Sequence, residues 1–317
     1  MDRLDVEIIM TLEKQGLIGI DKLAGIHGVS RRTIRRRINI MNDNNLVKMV
    51  VVPNIVLLGY KAWARIGIRV KPDYLSKVAL TLVKHPAVFF VAYTLGPFDI
   101  VISTYFRTID NLADFVNLEL TKIEGVIFAE TMLLVSPRKY NLFNWPKASL
   151  SINREIMNKN NRNIVDYKYE LDEIEREILD ILVKDGPDRS KNLASKIGVS
   201  ESKVRSHLNS MWQNEVYKIE VVPITDILDE TQATIGITIG QRCSDKIVDE
   251  IIGHPSVFLA SASLGRFNIV LGTRFRKLEL FSEFITKILP SVPGINSTET
   301  FLHIKRLKYG NITWLLS

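Results

Sequence analysis

Cysteine is almost absent from this chain. Cys243 stands alone, which excludes an intrachain disulfide and a cysteine-based zinc finger and makes a reducing cytoplasm the expected compartment. Histidine is scarce as well. His27, His85, His207, His254 and His303 are the whole set, and no two stand at a metal-ligand spacing such as His-x-x-x-His. Neither a Ser-His-Asp arrangement, a P-loop nor a glycine-rich nucleotide motif is recognisable, so no enzyme, metal or cofactor is expected. Long apolar runs are missing too. The most apolar stretch, Met49–Tyr60, contains Pro53 and Asn54 and is too short to cross a bilayer as a helix. The opening MDRLDVEIIM has acids and a helical period in place of the apolar core of a signal peptide. No membrane segment is expected.

What is present is an ordinary globular composition, 46% hydrophobic and 24% charged, with a net charge of +7. A chain of 317 residues accommodates two to three domains at roughly 100–200 residues each. The basic excess suits a polyanionic partner, but its meaning depends on where the charge lies.

The sequence repeats itself over a long period. LAGIHGVSRRTIRRRINIMNDN from Leu23 aligns with LASKIGVSESKVRSHLNSMWQN from Leu193, an offset of 170. Val51-Val52-Pro53 recurs as Val221-Val222-Pro223 at the same offset. HPAVFFVAYTLGPFDIVISTYFR from His85 aligns with HPSVFLASASLGRFNIVLGTRFR from His254, now at 169, and Glu130-Thr131 recurs as Glu299-Thr300. So many segments held in register with a single slip mark a tandem duplication, the kind of feature that governs a whole fold.

Each copy has two parts. In the first, Leu4, Ile8, Ile9 and Leu12 fall at helical spacing. A short helix is expected near Asp21–Ile26, a break at Gly28, and a third helix capped by Ser30 with Ile34, Ile38 and Met41 on one face. Two helices joined by a short glycine-containing turn make a helix-turn-helix. In the second part, Ala62–Val70 alternates as a strand and Asp73–Lys84 is amphipathic. Val88–Leu95 and Phe98–Phe106 flank the turn signal Gly96-Pro97, Ile109–Ile123 is a helix stopped by Gly125, and Val126–Val135 is a last strand. That order, βαββαβ, is the ferredoxin-like split motif. The expected class is therefore α+β, as two tandem units. Each is a winged-type helix-turn-helix followed by a ferredoxin-like, ACT-like domain. The boundaries are 1–60, 61–145, a linker at 146–170, 171–230 and 231–317.

This layout resembles the leucine-responsive regulator/AsnC (Lrp/AsnC) family of transcription regulators. LDVEIIMTLE and GVSRRTIRRRINIM carry the likeness in the helical part and LGPFDIVI in the α/β part. The resemblance spans nearly the whole chain, twice. It implies a helix-turn-helix that binds double-stranded DNA, α/β domains that pair, and a small effector, often an amino acid, near the turn before the third strand. Carried onto this sequence, that turn is Leu95, Gly96, Phe98 and Asp99, with Asp99 placed to accept from an ammonium group. Asn268 is its counterpart in the second copy. The same turn could equally be a hairpin whose Asp99 serves local backbone donors. Family members usually carry one copy, and this chain departs by carrying two. Siroheme decarboxylases resemble the same family and pair two such units, so a tetrapyrrole enzyme is the alternative. A ligand-sensing co-regulator that does not touch DNA is a third reading.

The two recognition helices differ in charge. At about 100° per residue, the face opposite Ile34, Ile38 and Met41 carries Arg32, Arg36 and Asn39, with Arg35 beside them and Arg31 and Arg37 on the flanks. Five arginines and no acid stand between Ser30 and Ile40. Arginine forks pair with guanine O6 and N7 or clamp phosphate. Arg32 and Arg36 are expected to read bases, Arg31, Arg35 and Arg37 to hold phosphates, and Ser30 and Thr33 to stand at the DNA-facing helix start. In the second copy Arg32 becomes Ser202 and Arg36 becomes Ser206, leaving Lys203 and Arg205 as the basic residues. Met1–Tyr60 holds nine basic against six acidic residues, and Leu171–Ile224 eight against ten. The second head is expected to bind DNA more weakly. A lone strong head meets one half-site, so a homodimer at least is expected.

Overall fold

A computed structural model describes residues 3–5, 7–8, 11, 20–43, 47–140, 169–223, 231–240 and 251–309, with backbone alone at 42–43, 47–49, 136–140, 220–223 and 309. The linker expected at 146–170 lies outside the described residues as far as residue 168. In chain order the elements are α1 (Ile20–His27), α2 (Arg31–Asp43), β1 (Val47–Pro53), β2 (Ala62–Val70), α3 (Leu75–Lys84), β3 (Val88–Leu95), β4 (Ile100–Phe106), α4 (Ile109–Asp114) and β5 (Val126–Tyr140). The second copy gives α5 (Glu173–Asp185), α6 (Ser190–Ile197), α7 (Glu201–Gln213), β6 (Tyr217–Pro223), β7 (Thr231–Ile239), β8 (Val257–Leu264), β9 (Ile269–Phe275), α8 (Leu278–Glu283) and β10 (Ile295–Tyr309).

The chain divides into two compact units, and they are not the two copies. One draws on Met1–Gly59 and Trp145–Leu228, the other on Tyr60–Asn144 and Asp229–Gly310. The fold sorts parts by kind, so the two helical heads share one unit and the two α/β halves share the other.

In the helical unit, Ile8, Leu23, Ala24, Ile34 and Met41 form the first head's core. Burying a large aliphatic side chain contributes about 1.5–3 kcal/mol. Gly28, at φ 62, turns the chain between α1 and α2. Ser30 Oγ then accepts the Thr33 amide at 3.0 Å and caps α2. The second head repeats the plan around buried Ile178, Leu182, Leu193, Val204, Leu208 and Met211. Asp172 and Glu175 form a reciprocal capping box on α5. Each head contributes one strand to a shared antiparallel ribbon. β1 pairs with β6 from Val47↔Pro223 to Pro53↔Tyr217.

The α/β unit is a closed eight-stranded barrel in the order β10-β3-β4-β2-β5-β8-β9-β7. Within each copy the strands follow the split-motif order, β5-β2-β4-β3 and β10-β7-β9-β8. The copies join at both edges. β5 runs on past Val135, so Leu133–Tyr140 pairs with Leu264–Leu259 of β8. β10 matches this by pairing Leu302–Tyr309 with Leu95–Phe90 of β3. Closure removes strand edges that would otherwise expose unpaired backbone groups. One face of each sheet buries aliphatic residues under its helices, such as Ala64, Ile66 and Ile68 in β2 and Ala233, Ile235 and Ile237 in β7.

Two local features depart from expectation. The single helix expected at Ile109–Ile123 is α4, then a wide π-type turn at Phe115–Glu119 and a 3-10 turn at Leu120–Lys122. α8 is followed by the same wide turn at Phe284–Ile288. The turns set buried Phe115 and Phe284 against His85 and His254, each at 4.8 Å between ring centres. Phe98, expected to begin a strand, precedes β4 and folds over Gly67, where a Cβ would meet its ring at 2.3 Å.

Candidate functional site

On α2 the sequence places small and charged residues outward by default, because Ile34 and Met41 anchor the opposite side. Arg32, Arg35, Arg36 and Asn39 are exposed. Among the described residues, Arg32, Arg35 and Arg36 form no ion pair within the chain, so three guanidiniums face solvent together. Arg31 is exposed as well but pairs with Asp21 at 2.5 Å. Arg37 has a partner within the head. It turns inward to Asp5, Nη1 to Oδ1 at 3.0 Å, and Asp5 is 8% exposed. Leaving a buried carboxylate unpaired is costly, so Arg37 contributes to the head's own packing.

The second recognition helix, α7, presents Ser202, Lys203, Arg205 and Ser206. Arg205 is held by Glu201 at 2.6 Å. Ser200 caps the helix by accepting the Lys203 amide at 3.3 Å. His207 stands where copy one has Arg37 and approaches Asp172 at 3.5 Å and Glu175 at 3.8 Å. Those three residues put ligand-type atoms within 4.8 Å of one another. The α5 capping box and the Tyr169 hydroxyl, 2.7 Å from Glu175 Oε1, already account for the carboxylates.

The turns of the α/β unit are built twice and alike. Asp99 Oδ2 accepts the Val70 amide at 2.8 Å, and Arg69 Nε lies 3.6 Å from the same oxygen. Asn268 Oδ1 accepts the Ile239 amide at 2.9 Å. Asp and Asn thus do one job, receiving a strand-end N–H. In both copies the side chain here serves a local backbone donor, which is the hairpin role expected of Asp99 beside ammonium binding. Gly96 has φ +132, and a Cβ there would lie 2.6 Å from the Thr300 carbonyl of the other copy. Leu95 is exposed and Phe98 is buried. Where copy one has Pro97, copy two has Arg266. It bridges Glu130 at 2.9 Å and Glu299 at 2.8 Å and sits 4.7 Å over the Phe267 ring. Aligning the copies reveals the Pro-to-Arg change but not the acid pair that it joins, because Glu130 and Glu299 come from different copies.

The inward parity of the barrel strands carries Arg65, Ser103, Thr234, Ser261 and Ser263, all buried. Arg65 lies 4.9 Å from the Phe90 ring. His303 Nε2 is 3.0 Å from Thr234 Oγ1, while its Nδ1 is buried without a hydrogen-bond partner among the described residues. Burial, then Arg65 and Arg306, push the imidazole down to about 3. No local motif links residues 65, 234 and 303, so the sequence alone does not bring this group together.

The profile described as Lrp/AsnC ligand binding domain matches residues 64–141 and again 232–312. The chain belongs to the Lrp/AsnC family. In this Lrp/AsnC chain a DeoR-like helix-turn-helix domain matches residues 5–50, and a winged helix-turn-helix DNA-binding domain matches 171–216. The HTH-type transcriptional regulator FL11 of Pyrococcus furiosus is 32% identical over 140 residues, 44% of this chain and 92% of that protein. The uncharacterized HTH-type transcriptional regulator PF1231 of the same organism is 30% identical over 141 residues, covering 44% and 95%. The crystal structure of the siroheme decarboxylase NirDL, in co-complex with an iron-uroporphyrin III analogue, superposes with a TM-score of 0.64 at 14% identity. It covers 98% of this chain and 94% of that one. That likeness is one of fold. No described helix is long and apolar enough to cross a membrane.

Proposed function

We propose that this chain is a sequence-specific transcription regulator that binds double-stranded DNA through α2 and responds to a small effector, such as an amino acid, at its α/β unit. The observation that carries the reading is the acid-free face of α2. A recognition helix that reads base edges needs donors that are not already committed, and Arg32, Arg35 and Arg36 meet that need. Arg32 and Arg36 read bases. Arg35 holds phosphate, and Arg31 joins it once released from Asp21. Asn39 and the Ser30–Thr33 helix start lie along the same face. The relatives bearing the name of HTH-type transcriptional regulators support the same conclusion, and no reaction is assigned to the chain. Effector control rests on the ligand-binding-domain match. Leu95, Gly96, Phe98, Asp99 and Asn268 stand at the turns to which the resemblance points, with Asp99 and Asn268 already receiving strand-end amides.

The test is an electrophoretic binding assay on genomic fragments with a salt titration. Arg32→Ala with Arg36→Ala is expected to weaken specific binding by several kcal/mol, at about 1–3 kcal/mol per bidentate contact. Unchanged binding by the double variant would sink the assignment. Visible tetrapyrrole absorbance in the purified protein would instead favour a decarboxylase.

A further inference from the structure

The inward face of the barrel mixes buried apolar residues such as Met132, Leu134 and Phe301 with buried polar ones such as Arg65, Ser103 and Thr234, and the polar ones are unevenly placed between the copies. The two copies align in register at an offset of 169, so Arg65 of β2 corresponds to Thr234 of β7, and Leu134 of β5 to His303 of β10. Arg65 and His303 thus have a hydroxyl, Thr234, and an aliphatic group, Leu134, as their counterparts, and that same Thr234 hydroxyl faces His303.

Several observations converge there. Arg65 is 4% exposed, and its guanidinium lies against the Phe90 ring. The centre of the same ring is 5.3 Å from that of His303, so guanidinium and imidazole both lie against Phe90. His303 uses Nε2 toward Thr234, leaving Nδ1 buried with no hydrogen-bond partner among the described residues. A buried nitrogen of that kind costs about 1–3 kcal/mol unless something completes it. Burial first, and then the positive charges of Arg65 and Arg306, favour the neutral imidazole. His303 is half-buried as a residue, while its Nδ1 is shut off from solvent. The acids Glu130 and Glu299 lie with Arg266 at the turns. The interior of an eight-stranded barrel is of a size that side chains fill or that holds one small ligand.

We propose that Arg65, His303 and Thr234 form a binding site for the carboxylate of a small organic acid or amino acid, one site per chain. The Arg65 fork receives the carboxylate, neutral His303 donates or accepts through Nδ1, and Phe90 packs against the ligand's body. The inference rests on the effector half of the proposed function and not on its DNA half, since binding is measured on DNA-free protein.

The test is isothermal titration calorimetry of the full chain with L-glutamate, L-leucine, L-lysine, 2-oxoglutarate and benzoate as carboxylate probes, and inorganic phosphate as the non-carboxylate arm. At least one carboxylate is expected to bind with a stoichiometry of one per chain. Arg65→Thr, which copies the residue of the other half, should weaken it tenfold or more. His303→Leu, which copies Leu134, should also weaken it, and it keeps the test usable if Arg65→Thr does not fold. Failure of every carboxylate to bind, binding of phosphate alone, two equal sites per chain, or undiminished binding by His303→Leu would each overturn the proposal. DNA affinity, measured separately, tests the DNA half of the proposed function alone.

Discussion

Asp99 looks like a ligand for an ammonium group, yet its Oδ2 ends a strand by receiving the Val70 amide, and Asn268 does the same for Ile239. Asp99→Asn is therefore expected to melt close to the parent. Asp99→Ala leaves a strand-end N–H unmatched and should lose about 1–3 kcal/mol. Thermal melts of the two variants decide it, and equal destabilisation would show that charge matters there. His303 allows a pH prediction. Its folded pKa of about 3 lies below the ordinary 6.5, with Arg65 on β2 and Arg306 on β10 as the charges acting on it. Between pH 6.5 and 3 the unfolded chain binds a proton there that the folded chain does not. The stability from neutral His303 is thus whole above pH 6.5 and falls away as pH drops toward 3. His303→Leu should flatten the dependence of melting temperature on pH across that window. A slope matching the parent's would contradict the assignment.

The two recognition helices share a fold and differ in what they present. α2 shows three guanidiniums outside any ion pair among the described residues, whereas α7 shows two serines and an arginine bound to Glu201. Each phosphate neutralised adds to the salt dependence of binding. Lys203→Ala with Arg205→Ala is therefore expected to change affinity and salt slope much less than the Arg32/Arg36 double change. Equal losses at fixed salt would show that α7 is a full DNA reader. Among the strands, β5 and β10 run several residues past the point where alternation fades, since their ends pair across the copies. Those residues, Ser136–Tyr140 among them, are strand because of their partner and not because of local propensity.

Over the whole molecule, the duplication becomes a pseudo-dimer within one chain. The α/β halves close one barrel, and the heads are joined by the β1–β6 ribbon. On the proposed reading, with α2 the strong head and α7 the weak one, a chain leaves a single well-read half-site. Two chains would set two α2 helices on a palindrome, spaced by turns of about 10 base pairs. A homodimer with twofold symmetry on DNA is the expected outcome, checked by light scattering of free and DNA-bound protein together with footprinting. A monomer in both states, protecting one asymmetric half-site, would refute it.

By itself the sequence determined the duplication, the order of elements, the two cores and the arginine face of α2, because each is written in local spacing. Ile34 and Met41 fall on one side of a helix whatever the rest of the chain does, and the arginines are then outside it. Tertiary structure decided the remainder. That Arg37 turns to Asp5, 32 residues away, that β5 seeks β8, that Arg266 joins acids from both copies, and that Arg65 and His303 share Phe90 are all contacts between distant residues. Their geometry comes from barrel closure and head packing. No periodicity of two or 3.6 residues encodes which partner lies across a barrel, so these pairings arise only when the two copies meet.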